Sequence, residues 1–163
     1  MINADKETPT RVFVRTSNAL LESNFALFST SPDETGGAFD VATYTSNSPL
    51  VVAFRDSPVD SILQVSAKSK NSPAFVKLHP AYEGTFDLKT SIFMPRVDVD
   101  DDVEDPSGEG RIRKVAFNTV GKEMSGTIRW VSEGDGDGDD DGDTERMGSV
   151  KVVTSILPAH LKL

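Results

Sequence analysis

The chain has 163 residues, 37% of them hydrophobic, with no cysteine and a formal net charge of −9. That length fits one domain, and the missing thiols exclude a disulfide framework and a cysteine-based metal centre. No apolar stretch approaches the roughly 20 residues of a membrane-spanning helix, so no membrane span is expected.

The first ten residues, MINADKETPT, are polar. They contain no apolar h-region and predict no signal peptide. Residues 1–10 read as a flexible tail, and residues 11–163 as a single β-repeat domain. Asn47 and Asn71 are each followed by Ser-Pro, so neither is an N-glycosylation acceptor. These absences favour a cytoplasmic protein over a secreted one.

From Val12 onward the chain alternates apolar and polar residues with period two, the pattern of half-buried strands. Val12 and Val14 form the first run. Residues 17–28, SNALLESNFALF, fit either a short helix with Leu21, Phe25 and Phe28 on one face or two strands turning near Ser23-Asn24. Their strand-like neighbours favour the strands. Further runs carry Val41, then Val52 and Phe54, Leu63 and Val65, Val76 and Leu78, and Leu88. The later ones carry Val115 and Phe117, Ile128 and Trp130, Val150 and Val152, and Leu161. These residues form the predicted core, and the whole chain reads as all-β.

The runs repeat a unit. GAFDVATYTS from Gly37, GTFDLKTS from Gly84 and GSVKVVTS from Gly148 each join a glycine, an alternating strand and a Thr-Ser corner to a second alternating run. Asn-Ser-Pro recurs at Asn47 and Asn71. Asn and Ser suit a corner because their side chains bond nearby backbone. Pro49 and Pro73 suit a strand start, where no ladder donor is required. One such strand pair cannot bury its own apolar face, so a β-solenoid-like stack of two-strand repeats is expected, with an amide ladder linking Asn47 to Asn71. The alternative is a β-sandwich with similar hairpin loops.

The repeated unit resembles the adhesin-like domains of long bacterial β-repeat proteins. It is also similar to uncharacterised fungal proteins with an adhesin-like β domain. Thr45-Ser46-Asn47, Thr90-Ser91 and Thr154-Ser155 match the Thr-Ser part of that pattern, while Ser48 and Ser72 stand where it has glycine. The resemblance implies a stacked β fold and no catalytic residues.

Two segments depart from the unit. Residues 98–109 hold seven acidic residues and no basic one, and residues 133–145 hold eight and no basic one. The rest of the chain has 11 acidic residues against all 17 Lys and Arg, about +6. The chain is therefore a mildly basic body with acidic loop insertions at 98–110 and 133–145. Those loops would repel phosphate, so a nucleic-acid partner is not expected.

No phosphate-binding loop or nucleophile elbow is present. His79 and His160 lie in separate alternating runs, which disfavours a zinc site and leaves a hydrolase built on one of them as a third reading. EGDGDGDDDGDTE, residues 133–145, misses the EF-hand pattern but clusters Asp135, Asp137, Asp139, Asp141 and Asp143 as a weak divalent, calcium-type site. Tyr44 and Trp130 are the aromatics suited to stacking on a sugar. The expected function is a non-enzymatic structural or interaction module of adhesin-like type. Its partner is an unknown protein or a second copy joined through strand edges. No cofactor is expected beyond weakly bound calcium, and a calcium- or glycan-binding module is the alternative.

Overall fold

The computed structural model describes residues 8–100, 102–132 and 147–163. Twelve strands and no helix occur among them: β1 (Thr10–Arg15), β2 (Leu21–Ala26), β3 (Ala38–Thr45), β4 (Leu50–Asp56), β5 (Ile62–Ser69), β6 (Ala74–Lys77), β7 (Gly84–Lys89), β8 (Arg96–Asp98), β9 (Ile112–Val120), β10 (Glu123–Val131), β11 (Gly148–Thr154) and β12 (Ala159–Lys162). Among the described residues no helix is long and apolar enough to cross a membrane. Residues 17–28 give one strand, β2, after a bend at residues 17–19, in place of the strand pair turning near Ser23.

The strands form two sheets. One has seven strands in the order β1-β3-β5-β11-β7-β10-β9, and the other five in the order β2-β4-β6-β12-β8. All pairs are parallel except β7–β10 and β10–β9. This corrects the expected β-solenoid-like stack. The C-terminal pair β11–β12 lies between β5–β6 and β7–β8, out of chain order, and an antiparallel hairpin extends one sheet. A sandwich of ordinary hairpins is not found either, because strands joined by the Thr-Ser corners sit in different sheets. Sequence repetition identifies segments with the same local structure, but it does not set the order in which they pair. The long excursion before β11 costs little extra closure entropy, so the last pair can return to an inner position.

The local readings of the corners hold. Asn71 Nδ2 donates to Asn47 Oδ1 at 2.7 Å, and Asn47 Nδ2 donates to Asn18 Oδ1 at 2.7 Å. No residue from Asn47 to Pro49 or Asn71 to Pro73 needs positive φ; among the described residues the non-glycine ones that have it are Glu34 and Asp60. Serine therefore replaces glycine there without strain. The carbonyls of Pro49, Pro73 and Pro158 accept the amides of Leu21, Leu50 and Ala74. The Thr-Ser signature has a physical cause. Thr45, Ser69, Thr154 and Thr90 are buried at the ends of four adjacent strands. The hydroxyls of Thr90 and Thr154 each bond the carbonyl three residues on, at Phe93 and Leu157, which closes the corner.

The core lies between the facing sheets. One inner row crosses all seven strands of the larger sheet: Val12, Val41, Val65, Val150, Phe86, Gly126 and Phe117. Its middle is buried, Val12 is half-buried, and Phe117 is 50% exposed. Opposite it, Val52, Val76 and Leu161 are buried in register. Of the predicted core, Val12, Val14 and Val115 only pack against its margin, and Phe117 stays outside. Leu21, Phe39, Leu50, Phe86 and Tyr82 join the core from outside the predicted set. The reason for the open end is arithmetic: five strands of the larger sheet are matched by five below, while β10 and β9 have no strand beneath them.

Candidate functional site

The overhanging hairpin leaves a groove of about 750 Å³. One wall is formed by residues 111–117 of β9 and its entry. The other is formed by Val99, Asp100 and Val103, which follow β8, and Trp130 of β10 contributes to the lining. In the β9–β10 ladder Arg113 pairs with Trp130, Val115 with Ile128 and Phe117 with Gly126. Arg113, Val115 and Phe117 therefore share the inner face of β9. Gly126 makes this face continuous: a Cβ there would lie 2.4 Å from the Ala116 carbonyl oxygen and 2.5 Å from the Phe86 ring. Without that side chain, the Phe86 and Phe117 rings approach to 6.5 Å between centroids.

The entry to β9 is fixed by ions. Asp105 accepts from the Arg111 backbone amide at 3.0 Å and from its Nη2 at 3.1 Å, and from the Ser107 amide and hydroxyl. Arg111 Nη1 also reaches Glu83 Oε1 at 3.3 Å. The hydrogen bonds from Arg111 hold the Asp105 carboxyl well below the usual carboxylate range, assisted by the Ser107 bonds and opposed by burial. The same Asp105 bonds raise Arg111 above its ordinary value. Burial pushes Glu83 up, with Arg111 opposing. This part of the acidic insertion is therefore an anchor for β9, not only a charged surface.

Two residues on, Arg113 differs. Its Nε, Nη1 and Nη2 are shielded from solvent, and none has a hydrogen-bond partner among the described residues. Its guanidinium carbon lies 6.0 Å from the Trp130 ring centroid, a cation–π contact. Burial lowers its pKa, and the charge of Asp100 raises it. A buried polar group without a partner costs about 1–3 kcal/mol, and more when charged. Other buried polar atoms without partners are single ones: the hydroxyls of Thr43, Thr45 and Ser69, and Nε of Arg129. Among the described residues only Arg113 has its entire charged group in that state.

The groove was not foreseen from the sequence, although one signal was present. In RIRKVAFNTV, Arg113 falls on the apolar phase of Val115 and Phe117, and a charge in that phase of a strand marks either a partner or a site. The predicted sites lie elsewhere. Asp135, Asp137, Asp139, Asp141 and Asp143 are outside the described residues, as are residues 1–7 of the expected tail. Among the described residues no group of three or more His, Asp or Glu could hold a metal ion. His160 Nε2 contacts Asp98 Oδ2 at 2.7 Å, and His79 Nδ1 accepts from the Ala81 amide at 3.2 Å. The two histidines are not brought together with a serine hydroxyl by these bonds. Tyr44 carries the Arg15 guanidinium over its ring at 5.0 Å. Trp130 is 7% exposed and donates Nε1–H to the Pro80 carbonyl at 3.0 Å, so it serves the groove from below. No family model, no curated protein and no solved structure matches the chain.

Proposed function

We propose that the protein is a non-enzymatic interaction module that receives an anionic group of a partner in the groove under the β9–β10 overhang. The observation that carries this reading is the Arg113 guanidinium, desolvated with three nitrogens unbonded among the described residues. Such a group is stabilised when an anion supplies charge-assisted hydrogen bonds, which are about twice as strong as neutral ones. The resemblance of the Thr-Ser corners to adhesin-like repeats supports the same class. Catalysis draws no comparable support, since the His160–Asp98 pair joins β12 to the edge strand β8 with Arg96 as the other partner of Asp98.

The test is a titration of the 15N-labelled protein with sodium acetate and with sodium phosphate, against sodium chloride at matched ionic strength. The Arg113 Nε–Hε resonance should shift and saturate with acetate or phosphate. Arg11, exposed beside Asp40, serves as the control. A linear drift of equal size at both arginines would show that no anion site exists.

A further inference from the structure

The two sheets are open at the end opposite the groove. β1 ends the seven-stranded sheet and β2 ends the five-stranded one. Among the described residues β1 pairs only with β3, and β2 only with β4, both in parallel register. Their outer edges therefore present unpaired N–H and C=O groups in both sheets at once. Neither strand carries a proline or a charge in its inner phase, two of the devices that block such an edge. The core is open here too. Val12, Val14 and Phe25 are only half-buried, whereas their register partners Val41, Thr43 and Phe54 are buried.

The corner between β1 and β2 indicates what would cover this end. Thr16-Ser17-Asn18 repeats Thr45-Ser46-Asn47. Each corner asparagine spends two N–H donors on the corner beside it. Asn71 donates its backbone amide to the Ser46 carbonyl at 2.8 Å and its Nδ2 to Asn47 Oδ1 at 2.7 Å. Asn47 donates in the same way to the Ser17 carbonyl at 2.9 Å and to Asn18 Oδ1 at 2.7 Å. Asn18 is the next in this row, and neither its backbone amide nor its Nδ2 has an acceptor among the described residues. The acceptors that continue the pattern are the carbonyl and the asparagine Oδ1 of one more corner, with a strand on either side of it to pair with β1 and β2. A second folded copy does not supply such a segment. The edges it would need are taken throughout the chain: β3 and β4 are covered by β5 and β6, and the last pair, β7 and β8, has β10 on β7.

We propose that the edge formed by β1 and β2 receives a strand–corner–strand segment of a partner polypeptide. The segment adds parallel to both strands, its corner asparagine accepts from Asn18, and its apolar inner phase covers Val12, Val14 and Phe25. This surface is distinct from the groove and does not rest on the anion-receiving reading.

The probe is the blocked peptide of residues 38–56, which carries the Asn47 corner between two strands, added to the 15N-labelled full chain at concentrations where the peptide does not scatter light. Saturable shifts are expected at the Asn18 backbone and side-chain amides and along β1 and β2. With the protein unchanged, leucine in place of the peptide's corner asparagine should weaken binding at least tenfold. The Thr16 amide bonds the Tyr44 carbonyl, so by alternation the Phe13 amide faces outward. Phe13→Pro therefore removes an outward donor without breaking the ladder to β3. It should keep the spectrum of the folded protein and lose the peptide. Equal binding of the leucine peptide would show that the corner is not read. Equal binding to Phe13→Pro, or shifts confined to β9, would show that this edge is not used. Each of these results overturns the proposal, as does the absence of any saturable shift. Shifts at β1 and β2 that grow with protein concentration alone would make a second copy the occupant and overturn the partner segment.

Discussion

Arg113 is the residue at which local rules and the fold disagree. A strand inner face takes Val or Phe, and the neighbouring positions of β9 do, yet this position holds a guanidinium packed on Trp130. Natural sequences that break a local rule do so most often at functional sites, where stability is given up for binding. The direction of that trade is measurable. Arg113→Met keeps the length and apolar stem of the side chain and removes the buried charge. The variant should be more stable than the wild type by about 1–3 kcal/mol in urea unfolding, with an unchanged m-value, while losing the acetate-induced response of the groove. A variant less stable than the wild type would mean that Arg113 holds the hairpin in place and is not a binding group. This residue was legible in principle. The alternation of RIRKVAFNTV places it in register with Val115, but period two does not say which strands overhang and which are covered. Phe117 illustrates the same limit, since its phase marks it as core and its place at the end of the sheet leaves it half exposed.

At the scale of elements, the sequence was most legible where structure is local. The strands, the Thr-Ser corners and the Asn47–Asn71 pairing follow from short-range chemistry that a single repeat contains. The acidic segment after β8 was less legible, because composition suggested a solvated loop while Asp105 in it bonds Arg111 six residues on, which in turn reaches Glu83 28 residues back. Asp105 is the centre of that cluster, and its titration gives a test. Its folded pKa lies below the unfolded value of about 3.9. A depressed carboxylate contributes stability that is present above the unfolded pKa and is lost as pH falls through the folded one. Asp105→Asn should therefore melt several degrees below the wild type between about pH 5 and 8. The difference should narrow progressively below about pH 4, where the carboxylate of the unfolded chain takes up a proton while the folded one stays charged. A difference that stays constant into strong acid would mean that Asp105 acts through shape and not through charge.

For the whole molecule, the pairing order was the least legible property, because it is decided by contacts between distant segments. β11, Gly-x-Val-x-Val, carries its apolar residues in the same phase as β7, Gly-x-Phe-x-Leu, and both supply the inner row. Gly84 and Gly148 pair directly, and a Cβ on Gly84 would lie 2.1 Å from the Gly148 carbonyl oxygen, so that neighbourhood admits only the bare backbone at its start. No single-repeat pattern contains that information. The connection into β11 includes the acidic segment 133–145, which lies outside the described residues and contains no apolar side chain between Gly134 and Asp143. Deleting Gly134 to Asp143 removes no apolar group that the core could use. The entropy of closing the shortened connection changes by only about 0.6 kcal/mol per halving of its length. The deletion also removes the six aspartates Asp135, Asp137, Asp139, Asp140, Asp141 and Asp143, whose mutual repulsion is felt most at low salt. Wild type and deletion should therefore melt together in a chelator, with the deletion equal or slightly higher at low ionic strength. Calcium is the decisive addition. An ion that binds only the folded state raises its stability by RT ln(1 + [L]/Kd), so 100-fold excess over Kd adds about 2.7 kcal/mol. If the wild type melts several degrees higher in calcium and the deletion does not, the segment is a structural metal site, and calcium binding becomes the better account of the protein. If calcium leaves both unchanged, the acidic segment supplies charge and not coordination, and binding is to be sought at the groove.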